Sequence, residues 1–487
     1  MVSVLALAAC DDGRVGDAQQ PPVGTSASAS GSGSTSGSSG ADPTTFDPEE
    51  SSSSGTTFEP STGGVDTVFD PAFVEQQVDA LLAAGVPGLA VAVVFDGEVV
   101  YAQGHGVTGP DAGSVDASTL FNLASVAKSA TAMTLVEQAG AGLFDLQDPV
   151  STHVPSFGAA GPYSAQSVTV HHLLTQSAGL GDWETEPFAG AVTLADSFAL
   201  NANQPLWAEP GAVFNYSNRN FELAGLVAAR AEGTSFSEAV RSRVLEPLGM
   251  SGATMDGAVA QTRPHAQGLS GAQWLSPSDY IGERYEPVAG LWAGADDLGA
   301  YLQGLMAHPS MAEPHQPTHW FDGGNYGYGL FVDAGSDPAV VSHGGSTGGY
   351  LADLQLVPER GFGVVIVVNT DETYPGEATY AILEHYAGSF GFVDSGLSQV
   401  DESAIPGMYD DAWQLGTIEV RSDGGGGLEL NLIDAGAVVP LDHPYPGAWS
   451  FIDPTSGYDV SVTFWPGADG VPTHLVSRRG VAIRTGV

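Results

Sequence analysis

The sequence predicts an α+β protein: an antiparallel sheet flanked by helices, an inserted helical region, and a small C-terminal antiparallel β domain. Three patterns carry that prediction. Two apolar runs flank a hairpin signal at Asp96-Gly97, and strand-like runs return only after residue 329. Helical patterning is concentrated between them. After about residue 400 short alternating segments such as Val460, Val462 and Phe464 are broken by Gly and Pro clusters. Strands and helices that segregate along a chain, without strict alternation, favour α+β over a parallel α/β sheet.

Residues 11–66 are of low complexity, with Ser26-Ala-Ser-Ala-Ser-Gly-Ser-Gly-Ser34 the clearest stretch. Such composition buries too little apolar surface to offset the entropy of ordering. As a flexible coil it spans ~40 Å. Order begins at Asp70-Pro71, an N-cap followed by proline at the first helical position. Val74, Val78, Leu81 and Leu82 then share one helical face, which Gly85 and Pro87 end. Leu89 to Phe95 and Glu98 to Gln103 are the hairpin strands, since Asp-Gly suits a type I′ turn. A helix follows from Ser125 to Ala139, and residues 140–285 mix helices with loops. Strands return at Gly329–Val332, Tyr350–Val357 and Phe362–Asn369. The expected organisation is a leader at 1–10, a linker at 11–66, a mixed helix-and-sheet domain at 67–398 with its helical insertion at about 126–285, and a small antiparallel β domain at 399–487.

The charge balance excludes whole classes of partner. The 57 acidic residues face 12 arginines and a single lysine, Lys128, for a formal charge of -44. A nucleic acid or anionic lipid surface would be repelled. One cysteine rules out an internal disulfide framework and any cysteine-based metal site. That cysteine closes Leu7-Ala8-Ala9-Cys10, which resembles a bacterial lipobox, where the thiol is acylated and the cysteine becomes the mature N-terminus. Nine preceding residues without Lys or Arg are too few for a signal peptide, so the basic region is expected upstream of the first residue. No run approaches 18 apolar residues, so a lipid on Cys10 would be the sole membrane attachment. The expected location is the bacterial cell envelope.

Ser125-Val-Ala-Lys128 places a hydroxyl and an amine on one face of a helical start. A serine needs a neighbouring base to become a nucleophile, and a lysine serves if it can be held neutral. The helix N-terminus adds N–H groups that favour developing negative charge. Tyr216-Ser217-Asn218 and His343-Gly344-Gly345 follow in that order.

These three motifs, with Phe121-Asn-Leu-Ala-Ser-Val-Ala-Lys-Ser129, His172-Leu-Leu-Thr-Gln-Ser-Ala-Gly-Leu180, Glu246-Pro-Leu-Gly-Met250 and Gly344-Gly-Ser-Thr-Gly-Gly349, resemble the serine β-lactamase-related family. It includes class C β-lactamases, D-alanyl-D-alanine carboxypeptidases, D-aminopeptidases and esterases. The resemblance covers about residues 70–390 and implies a catalytic domain of β-lactamase/transpeptidase-like fold at 67–398, and the tail at 399–487 resembles the small β-barrel domains that some non-lactamase members carry. It implies Ser125 as nucleophile of an acyl-enzyme, with Lys128 and Tyr216 sharing acid–base work and either able to take the serine proton. Asn218, His343 and Gly345 would bind substrate, and the backbone N–H groups of Ser125 and Ser346 would form the oxyanion hole. No cofactor or metal is implied. The substrate would be a small molecule or peptide: the resemblance favours peptides with D-amino acids, in the manner of a carboxypeptidase or D-aminopeptidase, or esters, with a small-ester esterase lacking peptidase activity as the alternative. His343 stands where β-lactamases carry the lysine of Lys-Thr-Gly, so a weaker charge, titrating near ~6.5, is expected there, with slow or absent lactam hydrolysis. A surface binding protein on the same scaffold is disfavoured, because all three motif positions carry chemically competent side chains.

Competing signals are weaker. Gly344-Gly-Ser346-Thr-Gly348 fits a nucleophile elbow, but strand-like residues follow it where a helix is required. His308, His315 and His319 lie among Pro314 and Pro317, which forbid a regular helix, and a solvated loop is expected. His171-His172 reads as structural. Trp292, Trp413, Trp449 and Trp465 read as core or cleft wall.

Overall fold

The computed structural model describes residues 68–111, 113–182, 193–201, 204–276, 282–319, 323–394, 399–411, 416–445, 448–452, 459–477 and 480–486. The expected leader with Cys10, the linker at 11–66, and Trp413 lie outside these residues. Helix α1 (Pro71–Ala83) starts where the sequence places it, with the Asp70 side chain accepting from the Ala72 N–H at 3.0 Å. Strands β1 (Gly88–Phe95) and β2 (Glu98–Gly106) form the expected hairpin, and Asp96 and Gly97 have φ of 51° and 77°, both positive as a type I′ turn requires.

Helix α2 (Ala127–Gly140) and α3 (Asn218–Glu232) dominate the helical region, which also holds short helices and a two-stranded ribbon at Leu269–Ser270 and Gln273–Trp274. After α4 (Ala295–Met306) come β3 (Gln316–Pro317), β4 (Gly324–Tyr326), β5 (Phe331–Asp333), β6 (Val340–Thr347), β7 (Tyr350–Val357) and β8 (Phe362–Val368), then α5 (Gly376–Ala387). The sheet is antiparallel in the order β2-β1-β8-β7-β6-β5-β4-β3. Alternate residues of β1 face different layers. Leu89, Val91 and Val93 pack with Val74 and Val78 of α1 and Ile382 and Tyr386 of α5. Ala90, Ala92 and Val94 pack with Leu298 and Leu302 of α4. A central strand covered on both faces has no polar side, which explains why Leu89–Phe95 reads as an unbroken apolar run.

The C-terminal strands close on themselves. Strands β9 (Gly407–Asp411), β10 (Gly416–Ser422), β11 (Leu428–Leu432), β12 (Ala437–Tyr445), β13 (Ala448–Ile452), β14 (Asp459–Pro466), β15 (Pro472–Ser477) and β16 (Gly480–Gly486) make an eight-stranded antiparallel barrel. Its core follows period two: Val460, Val462 and Phe464 point inward beside Trp449, Ile418 and Leu475. Trp292 is fully buried in the catalytic core.

The histidine loop is corrected by the structure. His308 bonds Glu137 at 2.7 Å, His315 stacks on Tyr328 with ring centres 4.2 Å apart, and His319 meets Trp465 edge-on at 4.3 Å. Prolines did preclude a helix, but aromatic partners from distant segments pack these rings. Among the described residues no cluster of His, Cys, Asp and Glu could hold a metal, and no helix is long and apolar enough to cross a membrane.

Candidate active site

Ser125 sits in a 3-10 turn, Ala124–Val126, that leads into α2. The turn is bent sharply before it: Ala124 has a φ of 47°, a conformation an alanine adopts only when its surroundings impose it. Asn122 supplies part of that constraint. Its Oδ1 accepts the Ala124 N–H at 2.9 Å and the Tyr285 hydroxyl at 3.1 Å, while its Nδ2 donates to Ala289 O at 3.0 Å. The helix predicted from Ser125 therefore starts two residues later, with the serine held in the turn that precedes it.

From the first turn of α2, Lys128 Nζ donates to Ser125 Oγ at 3.0 Å and to Val288 O at 3.2 Å. It also lies 5.0 Å from the centre of the Tyr216 ring. Ser125 is 1% exposed, Lys128 0%, Tyr216 3% and His343 0%. The four side chains thus meet in a water-poor site, where each charge and dipole acts more strongly than in solvent.

Tyr216 and Asn218 are positioned by a residue the sequence reading passed over. Gln176 has a φ of 56°, so its backbone and side chain both face the Tyr216 loop. Its carbonyl oxygen accepts from Asn215 N at 2.8 Å, and its Oε1 accepts from Ser217 N at 2.9 Å and Asn220 Nδ2 at 2.5 Å. Ser217 then caps α3, and Asn218 N donates to Asp182 at 2.9 Å. Gln176 lies within the His172–Leu180 block, but nothing in a single sequence marks a glutamine for positive φ. Behind this segment Glu222 is gripped by Arg219 at 2.5 Å and Arg284 at 2.7 Å, all three buried. The buried carboxylate thus bridges two guanidinium groups, and no charge of the three lacks an opposite neighbour.

The third motif lies on β6. Gly345 runs so close to the serine turn that a Cβ at this position would fall 2.3 Å from Leu123 O. This contact brings Ser346 alongside the Ser125 segment. It also packs Gly345 against the turn that carries Ser125. The turn at Gly348–Gly349 passes straight into β7, so Ser346 has no elbow helix after it.

His343 is the clearest departure from expectation. Its Nδ1–H donates to Gly344 O at 2.6 Å, which leaves Nε2 to accept from the Tyr326 hydroxyl at 3.3 Å. Burial, and then the positive charge of Lys128, push its pKa down to about 3. The pH-dependent charge expected here is therefore absent: the ring is neutral at any ordinary pH. Unfolded histidine binds a proton near ~6.5, so between there and about 3 the unfolded state holds more protons and stability falls as pH drops. One such residue contributes a slope of about 1.4 kcal/mol per pH unit. In urea titrations the loss of stability between ~pH 6.5 and ~pH 4.5 should be shallower in His343→Gln than in wild type. Equal slopes would mean that the ring is protonated inside the fold.

A model of the Beta-lactamase family matches residues 74–387. Protein flp of Staphylococcus aureus (strain MW2) is 25% identical over 324 residues, covering 62% of this chain and 64% of that protein. The chain thus spans just under two thirds of the length of that relative. Esterase EstB of Burkholderia gladioli is 28% identical over 366 residues, covering 64% of this chain and 91% of the esterase. Among solved structures, SurE is similar with a TM-score of 0.65 at 21% identity, covering 85% of this chain and 98% of its own. The octameric penicillin-binding protein homologue from Pyrococcus abyssi gives a TM-score of 0.57 at 22% identity, covering 85% of this chain and 100% of that one. At such identities these two likenesses speak to fold alone.

Proposed function

We propose that this chain, which belongs to the Beta-lactamase family, is a serine hydrolase that cleaves small esters through an acyl-enzyme on Ser125. The observation that carries this reading is the 3.0 Å bond between Lys128 Nζ and Ser125 Oγ beside Tyr216. In the proposed reaction Ser125 Oγ attacks the carbonyl carbon as its proton passes to the Lys128–Tyr216 pair. Backbone N–H groups of Ser125 and Ser346 hold the oxyanion. The carbon–oxygen bond to the alcohol then breaks, and the pair returns the proton to the departing oxygen. Water repeats the sequence on the acyl-enzyme, releasing a carboxylic acid and restoring the serine.

A second reading, hydrolysis of peptides containing D-amino acids, rests on the motif resemblance. Two observations favour esters. The neutral His343 supplies no positive charge to hold a peptide carboxylate, and EstB is named an esterase. With p-nitrophenyl butyrate, D-alanyl peptides and nitrocefin as a panel, the ester should turn over fastest and nitrocefin slowly or not at all. D-peptide turnover exceeding that of the ester would reverse the order of the two readings, and a nitrocefin rate matching class C enzymes would overturn both.

The proposal extends to export and a lipid anchor on Cys10, supported by Leu7-Ala8-Ala9-Cys10 and the polar linker behind it. Cells expressing the protein with its native upstream sequence should incorporate an alkyne fatty acid into it, and Cys10→Ser should abolish that label. A label that survives the substitution would place the acylation elsewhere.

A further inference from the structure

The barrel has an outer patch that is not at the solvent. In β14, β15 and β16 the inward residues are Phe464, Leu475 and Ala482. Their neighbours Trp465, Val476 and Val481 must therefore point away from the barrel axis. The register sets Thr463 opposite Val476 and Val476 opposite Val481, one row across three strands, with Trp465 two residues beyond Thr463 on the same side. Outward residues of a small barrel ordinarily meet water. Here Trp465 is 8% exposed, Val476 6% and Val481 2%.

What covers them is the catalytic domain. Trp465, Val476 and Val481 form one continuous apolar cluster with Trp207, Phe214, Tyr216, Tyr326 and Phe331. Tyr216 stacks on Phe331 with ring centres 6.3 Å apart, and Tyr326 bonds His343. The Trp465 ring is itself fixed edge-on by His319, which burial keeps neutral with a pKa of about 4.

We infer that the outer wall of the barrel completes the active site on the Tyr216 side, and that Trp465 is a specificity-determining residue that limits the size of the leaving alcohol. This rests on the Ser125 acyl-enzyme reading. In that chemistry the Lys128–Tyr216 pair that protonates the departing oxygen must lie next to it, so the leaving group sits beside that pair, on the side walled by the Tyr216 cluster. The acyl group remains on Ser125 and is held away from the wall.

Two ester series separate these sides. One holds a butyryl group constant and enlarges the alcohol from methyl to benzyl to 1-naphthylmethyl. The other holds p-nitrophenol constant and lengthens the acyl chain from acetyl to butyryl to octanoyl. In the full chain, Trp465→Ala should raise kcat/KM for the naphthylmethyl ester relative to the methyl ester by about tenfold or more. The ratios along the acyl series should stay within about twofold of wild type. Trp465→Phe should fall between, and Val476→Ala gives the same comparison if Trp465→Ala does not fold. Parallel shifts in both series, or a shift in the acyl series alone, would overturn the inference while leaving the hydrolase reading intact. Wild-type turnover that Ser125→Ala leaves unchanged would overturn the nucleophile, and the inference with it.

Discussion

Replacing Ser125 with alanine should lower ester turnover by at least about 10⁴-fold, the loss typical when a nucleophile is removed from an otherwise intact site. The fold should survive. Asn122 fixes the turn through the Ala124 backbone, and Lys128 Nζ keeps its bond to Val288 O when the serine oxygen is gone. An unchanged melting temperature together with lost labelling by a fluorophosphonate probe would isolate the chemical role. Labelling that persists in Ser125→Ala would move the nucleophile elsewhere, and Ser346 would be the first residue to test.

Lys128→Arg carries the second large effect. An arginine keeps the positive charge but cannot give up its proton, and its planar head does not fit a slot built for a compact amine. Lys128 is fully buried and spans Ser125 Oγ and Val288 O, so there is no solvent into which a larger head can retreat. Turnover should fall by about 10²–10⁴-fold, the usual contribution of a positioned base. Lys128→Ala should lose at least as much and recover part of it when small amines are added, more with rising pH. Near-wild-type turnover in Lys128→Arg would leave Tyr216 as the group that takes the serine proton. The lysine stands alone among 57 acids, and the scarcity first noticed as a charge imbalance also marks this position.

Local signals in the sequence read well where backbone geometry is decided locally. Asp70-Pro71 and Asp96-Gly97 dictate a helix start and a turn through their own side chains and dihedral preferences, and both stand as expected. The Ser125–Lys128 spacing works for the same reason, since one helical turn suffices to bring the groups together. Features set by distant packing were out of reach. His343 had an ordinary histidine's properties until Tyr326, Lys128 and full burial were added. His315 and His319 were surrounded by loop residues in the chain and by Tyr328 and Trp465 in space. Alternation along β14 to β16 marks strands, and the expected barrel-like domain closes on itself, yet alternation says nothing of which outward residues a second domain will cover.

The contact between Gly345 and Leu123 has a consequence for how such a hydrolase can evolve. Any side chain at 345 would strike a backbone oxygen of the segment that carries Ser125, whatever molecule is bound. Selection for a new substrate therefore has no freedom at this position. Under the proposed mechanism the Ser125 turn stays clamped while its surroundings drift, so new specificities can be sampled without rebuilding it.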